Sequence, residues 1–358
     1  MPSLKEIKGR INSISSTLAI TSAMKMVAAA KLQKAQMAIQ NMLPYERRLH
    51  SMLIDLMGAM NISAAASEDG SVRGSGSAER GFDQSGDRLS LSNRHDLAGM
   101  DGAYSLMAQR EVRKVAIVAF ASNSSLCGAF NSNAIREATA VINEYRASGL
   151  GDADITVYSV GRKMAEAMRK LGFPSPADFT KMSDSPSYEA ASTLAQELLD
   201  GFVSGRFDKV ELVYNHYKST SSQPTTRQTY LPLSLADATA DLQAGKITDS
   251  ASESDTNRGA EPVGAPVVRQ GSPTTEDLIV EPSKEALIAT LLPKVIRLRI
   301  FTTLLDSAAA EHAARTVAMQ LATDNGNDLL QELTLEYNKG RQQKITSEIL
   351  DIVGGSMQ

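Results

Sequence analysis

From Glu311 to Ile352 the chain reads EHAARTVAMQLATDNGNDLLQELTLEYNKGRQQKITSEILDI, with no proline and with glycine only at Gly326 and Gly340. As a helix rising ~1.5 Å per residue this stretch is about 60 Å long, several times an average helix of ~10–14 residues. A domain of ordinary size cannot cover such a rod. It requires a second helix, or another protein, along its length.

The other end of the chain supplies a second helix. Leu4, Ile7, Ile11, Ile14, Leu18, Thr21, Lys25, Ala28, Leu32, Ala35, Ile39, Met42, Glu46 and Leu49 follow one another at alternating spacings of three and four, the seam of a coiled coil. Ser3 followed by Glu6 predicts a capping box at the start. The seam is strongly apolar at first and small or polar from Thr21 to Ala35, which permits close helix approach but buries less apolar area. Pro44 is expected to kink or loosen this rod without ending it. On the C-terminal rod Leu330, Leu333 and Tyr337 keep the same spacing, and so do Ile345, Ile349 and Ile352, but the two sets are out of phase. Such a stutter is expected to unwind a supercoil locally. Pro293 marks a possible break early in the C-terminal segment, and Gly354–Gly355 its end. The most economical way to bury both stripes is to pair the rods antiparallel.

Between the rods the pattern changes to that of an α/β domain. Val112–Phe120, Ile155–Val160, Lys209–His216 and Thr226–Pro232 read as strands, and Asn131–Arg146, Arg162–Leu171 and Tyr188–Phe202 as helices. Strands alternating with helices imply a mostly parallel sheet. The last two strands, around the TSSQPT turn, form an antiparallel pair. The expected architecture is therefore a central Rossmann-like, mostly parallel sheet domain (111–235) with an antiparallel coiled coil made by residues 1–57 and 281–358. Two loop-like insertions separate these units. Residues 58–110 are rich in Gly and Ser, with a short helix possible at 103–109. Residues 236–280 carry Pro262, Pro266 and Pro273 and an acidic excess.

Composition and motifs argue against chemistry in this chain. The net charge is −4, so nucleic acid is not an expected partner. The N-terminal rod is locally basic, with Lys5, Lys8, Arg10, Lys25, Lys31, Lys34, Arg47 and Arg48 against Glu6 and Glu46 up to residue 50, which suits an acidic surface. No apolar run approaches the ~20 residues of a membrane span, and no signal or transit segment is visible. Gly245–Lys246 lacks the rest of a phosphate loop, and His50, His95, His216 and His312 are scattered without metal-ligand spacing. No cofactor is expected. Cys127 is the single cysteine, which precludes an internal disulfide. In SNSSLCGAFN, between a strand and a helix, it is the one tempting nucleophile, and His216 is its only candidate base. A stand-alone α/β cysteine enzyme with helical oligomerisation arms is thus the alternative reading. A small buried residue in a tight turn, with Gly128 supplying backbone freedom, is the favoured one.

Several segments resemble one family. ITSAMKMVAAAKLQKAQ (20–36), LCGAFN (126–131), EHAARTVAMQLATDN, and ELTLEYNKGRQQKITSEILDIVGG near the C-terminus are similar to the gamma subunit of F-type ATP synthases. LPLSL and EPSKEALIATLLP fit in the same order. The resemblance covers the terminal rods almost throughout and the α/β domain more loosely. It implies a rotor shaft: an antiparallel coiled coil inside a ring of three alpha and three beta subunits, with the sheet domain at its base beside the epsilon subunit and the membrane c-ring. Ion flow turns the ring and the shaft, and ATP is made or hydrolysed on the beta subunits, so the chain itself is expected to be non-catalytic. The implied location is peripheral, on the cytoplasmic face of a bacterial inner membrane.

Site residues carry over where the motifs match. Met24, with its neighbour Lys25, matches the family methionine that faces a moving beta-subunit loop. Arg341, Gln342, Thr346 and Glu348 match the polar stretch that meets the stator catch loops and couples to the Met24 region. Asn123, Ser124 and Ser125 stand where the family commonly has Asp-Arg-Gly. Both insertions exceed the usual bacterial length. Neither contains a cysteine, which removes the disulfide switch of the chloroplast form.

Overall fold

The computed structural model describes residues 3–68, 106, 110–233 and 284–355. The acidic insertion, Ser283, the possible helix at 103–109 apart from Leu106, and the greater part of the Gly/Ser-rich insertion lie outside the described residues.

Helix α1 (Leu4–Glu68) and helix α6 (Lys284–Gly355) are single helices of 65 and 72 residues, each on the order of 100 Å long. At the start of α1 the Ser3 Oγ accepts the Glu6 backbone N–H at 3.3 Å, and Arg10 pairs with Glu6 at 2.9 Å. Neither proline breaks a helix: Pro44 lies inside α1 and Pro293 inside α6. Each removes one backbone donor, and the packing on either side holds the helix together. Helix α1 also continues to Glu68, eleven residues beyond the expected 57. Likewise α6 runs through Gly354 to Gly355 instead of stopping before them.

The two helices pair antiparallel, and named contacts fix the register. Glu46 meets Thr302 (3.0 Å), Leu32 packs on Ala309 and Ala313, and Lys25 donates to Gln320 (2.6 Å). Nearer the N-terminus the Thr21 and Thr323 hydroxyls lie 3.1 Å apart, and Leu18 and Leu4 cover Gly326 and Gly340. Every predicted seam position of α1 is buried or half-buried, and Leu53 and Leu56 extend the spacing. On α6 the facing stripe is Met319, Thr323, Gly326, Leu330, Leu333, Tyr337 and Gly340, with the intervening residues exposed.

The sheet domain has four strands: β1 (Val115–Phe120), β2 (Ile155–Val160), β3 (Lys209–Asn215) and β4 (Thr225–Leu231). Their order is β2-β1-β3-β4, with β1 parallel to both β2 and β3, and β4 antiparallel to β3. The central strand β1 is apolar throughout and buried at every residue, as a strand covered on both faces must be. One face (Val115, Ile117, Ala119, Val157, Val213) packs on α2 (Phe130–Ala147) and α3 (Arg162–Lys170). The other face (Ala116, Val118, Phe120, Tyr158, Leu212, Tyr230) packs on α5 (Tyr188–Val203), on Leu49 and Leu53 of α1, and on the 292–304 portion of α6. A short helix α4 (Thr180–Asp184), with no counterpart in the sequence reading, fills the gap between α3 and α5.

Candidate functional site: the shaft, its overhang and its joint with the sheet domain

Helix α6 passes through three environments. Between Val295 and Thr316 none of its residues is exposed; from Met319 to Gly340 one stripe is covered by α1; from Arg341 to Val353 every residue is exposed. The last stretch begins where α1 ends, because Leu4 sits against Gly340: a Cβ added there would lie 3.1 Å from Leu4 Cδ2. Fifteen helical residues (341–355) therefore project beyond the partner helix, roughly 22 Å at 1.5 Å per residue. The out-of-phase set Ile345, Ile349 and Ile352 lies wholly on this overhang and is 45–71% exposed. The change of phase is thus not a stutter within a supercoil, because no α1 residue remains to pair with. The apolar stripe turns away from the seam at the point where the seam ends.

The sequence-derived site residues fall at two levels of this shaft. Met24 is half-buried on α1, and Lys25, also half-buried, donates to Gln320 on α6. Arg341, Gln342, Thr346 and Glu348 are exposed on the overhang. There Thr346 returns its hydroxyl to the Gln342 carbonyl (2.9 Å), and Glu348 pairs with Lys344 at 3.7 Å. Gln320 and Arg341 are separated by twenty-one residues of helix, about 30 Å of axis. The chain itself does not bring the two groups together.

Cys127 occupies the joint between sheet and shaft. It is 1% exposed and packs with Phe130 against Ala310 of α6. Its polar partners are Asn131 Nδ2 at 3.1 Å, Ser122 Oγ at 3.7 Å and the Ser124 carbonyl at 3.9 Å. His216, the proposed base, is not among them: its Nδ1 lies 2.6 Å from Asp306 of α6. With its sulfur enclosed and its base committed elsewhere, Cys127 has the surroundings of a packed turn residue. The turn requires one unusual backbone position at Leu126 (φ 68°) and another at Gly128 (φ 58°), the second taken by the residue without a Cβ.

Two of the three loop residues that depart from the family pattern, Asn123 and Ser124, have definite partners. Asn123 Oδ1 accepts the Arg162 backbone N–H at 2.7 Å, satisfying a free amide at the start of α3, and its Nδ2 donates to the Thr180 carbonyl at 2.7 Å. Ser124 Oγ accepts from Arg315 of α6 at 2.7 Å. Sequence reasoning did not single out Asn123 or Ser124 as ties, since their partners lie far along the chain. Next to this loop Arg315 pairs with the buried Glu311 at 2.7 Å. Burial raises the Glu311 carboxyl above the ordinary range, with Arg315 opposing. Burial, reinforced by Arg315 and Lys31, lowers His312 to about 4, so it is neutral near pH 7.

In open α/β sheets ligands bind in the crevice beyond the carboxyl ends of the parallel strands. Here that crevice is taken. Leu304, Ser307, Ala308 and Glu311 of α6 close on Phe120, Ala121 and Val160 at the ends of β1 and β2. Beside them Asn215, at the end of β3, donates to the Phe130 carbonyl (3.1 Å). The run of alanines from Ala308 to Ala314, interrupted by Glu311 and His312, lets the helix approach this closely. Among the described residues no group of three or more His, Cys, Asp or Glu could hold a metal ion, and no helix is long and apolar enough to cross a membrane.

Comparison with known proteins agrees with this anatomy. Residues 3–357 match the family described as ATP synthase. The chain is 47% identical to the ATP synthase gamma chain of Phocaeicola vulgatus over 357 residues, covering 100% of each. It is 36% identical to that of Flavobacterium johnsoniae, covering 99% of this chain and 98% of the other. Its fold is similar to a chain of the Euglena gracilis mitochondrial ATP synthase, solved as an OSCP/F1/c-ring assembly in rotational state 3. There the TM-score is 0.52, at 19% identity, over 99% of this chain and 93% of that one. The paired rods, the sheet domain at their junction and the family match over nearly the whole length lead to one conclusion: the chain belongs to the ATP synthase gamma-chain family.

Proposed function

We propose that this gamma chain is the rotor shaft that couples ion flow through a membrane c-ring to ATP synthesis and hydrolysis on the beta subunits. The observation that carries the proposal is the overhang: a helix exposed on every face from Arg341 to Val353, with large apolar side chains among the exposed ones. A bare helix of that length is stabilised chiefly by what it packs against, and the ring of three alpha and three beta subunits in the family is the cavity that suits it. The sheet domain would then sit at the foot, beside epsilon and the c-ring. Its strand-end crevice is filled by its own helix, which supports a mechanical, non-catalytic role. The chain would be peripheral, held to the cytoplasmic face of the bacterial inner membrane through these partners.

In this role Met24 and Lys25 meet a moving beta-subunit loop, while Arg341, Gln342, Thr346 and Glu348 meet the stator catch loops. Exposed polar contacts contribute only ~0–1 kcal/mol each, so they guide rotation without holding the shaft at one angle. The roughly 30 Å between the two groups supports coupling between them by way of the surrounding stator.

Co-expression with alpha and beta subunits tests the reading. The shaft assembles with them, and Met24→Lys, which adds a second cation beside Lys25, lowers ion pumping per ATP hydrolysed by about two- to tenfold, the effect of ~0.4–1.4 kcal/mol of extra stator contact. No association with alpha and beta would sink the reading, and full coupling in Met24→Lys would remove Met24 from the contact.

A further inference from the structure

We propose that His216, Tyr217 and Asp306 form a titratable joint that fixes the sheet domain's grip on the shaft and positions it for torque transfer. The torque clause rests on the rotor reading above; the joint itself does not.

The geometry is that of a clamp at the point where α6 leaves the domain. Asp306 accepts two hydrogen bonds from consecutive residues just after β3: the Tyr217 backbone N–H donates to Oδ1 at 2.9 Å, and His216 Nδ1 lies 2.6 Å from Oδ2. The Tyr217 hydroxyl then accepts from Gln36 Nε2 of α1 at 2.6 Å. Its ring packs in both small clusters of the junction, one with Leu32, Ala309 and Ala313, the other with Cys127, Phe130 and Ala310. Two residues at the end of one strand therefore reach both helices of the shaft, and one carboxylate holds them there. A rigid link of this kind is what a turning foot needs to carry a shaft with it.

The charge on one side of the clamp depends on a proton. The charged groups acting on His216 are Asp306 from α6 and Lys218 from its own loop. Around the adjoining Tyr217, α1 contributes the neutral Gln36 and the β1–α2 loop the thiol Cys127. The hydrogen bond to Asp306 raises the imidazole above its ordinary value, outweighing burial and the repulsion of Lys218. A raised value in the folded state means that the charged pair is fully present below about pH 6.5, the ordinary histidine value, and is lost as pH rises through the folded one. The joint is tightest below the ordinary histidine value and loosens as pH rises through the raised one.

The test uses hydrogen exchange of the Tyr217 amide in the purified full chain, corrected for intrinsic rates, from about pH 6 to about pH 8.5. Protection in the wild type falls across this range by up to about fivefold, the scale of a partly exposed ion pair of ~1 kcal/mol. His216→Lys, a cation at every pH used, holds it at the acid level throughout. His216→Asn and Asp306→Asn stay at the weak level throughout. Identical profiles for wild type and His216→Lys, or full protection in His216→Asn, would overturn the joint. In assembled, membrane-reconstituted ATP synthase, ion pumping per ATP hydrolysed follows the same order among the variants. Exchange that behaves as expected, with pumping indifferent to it, removes the torque role and leaves the joint. Failure to assemble with alpha and beta is instead the failure of the rotor reading.

Discussion

The buried middle of α6 and its bare end are one continuous helix in opposite surroundings. From Val295 to Thr316 it is enclosed by the sheet, by α5 and by α1; from Arg341 to Val353 every residue is exposed. Both stretches hold large aliphatic residues. Ile300 is 0% exposed and Ile349 is 55% exposed, yet both belong to regular α-helix. Helical form therefore does not report burial here. Which residues line up with a partner does, and the surroundings change from a sheet, to one helix, to an exposed end.

Substitutions can break this contrast. The largest effect is expected in the domain that anchors the buried stretch. Gly161 has φ 95°, and a Cβ there would lie 2.1 Å from the Ala121 backbone oxygen. Since backbone must move, Gly161→Ala is expected to cost about 4 kcal/mol or more and to abolish the cooperative urea transition of the sheet domain. Next, Ile300→Ala should cost about 2–5 kcal/mol by emptying a packed site, seen as a lower urea midpoint. Smallest, Ile349→Ala should change the stability of the chain by less than about 0.5 kcal/mol. A loss as large as that of Ile300→Ala would mean that the overhang folds back on the chain, and the contrast would be gone.

Much of this was legible in the sequence because it depends on local period. The three–four spacing from Leu4 to Leu49 marks the residues that α6 covers, and the strands fall within three residues of their expected bounds. The misses have physical causes. Pro293 carries a breaking signal, but flanking packing outweighs its one missing hydrogen bond. Helix α4 is too short for a periodic signature. The overhang is a difference between two helix ends, so it exists only once the register is known. Sequence marks Ile345, Ile349 and Ile352 as out of phase, but only the position of Leu4 against Gly340 explains why. Of the site residues, Lys25 stood in the readable seam. Arg341 to Glu348 came from resemblance, since exposed polar residues on a helix carry no periodic mark.

The alanine-rich turns of α6 that fill the strand-end crevice can also be regarded as a ligand that never leaves. A helix tethered to its own binding site has an effective concentration in the millimolar range or above, and this one is further held by apolar core contacts on either side of the crevice. Any small molecule suited to that crevice would have to displace a covalently attached competitor, and doing so would detach the shaft from its foot. The same contact that makes the domain a poor receptor makes it a good handle.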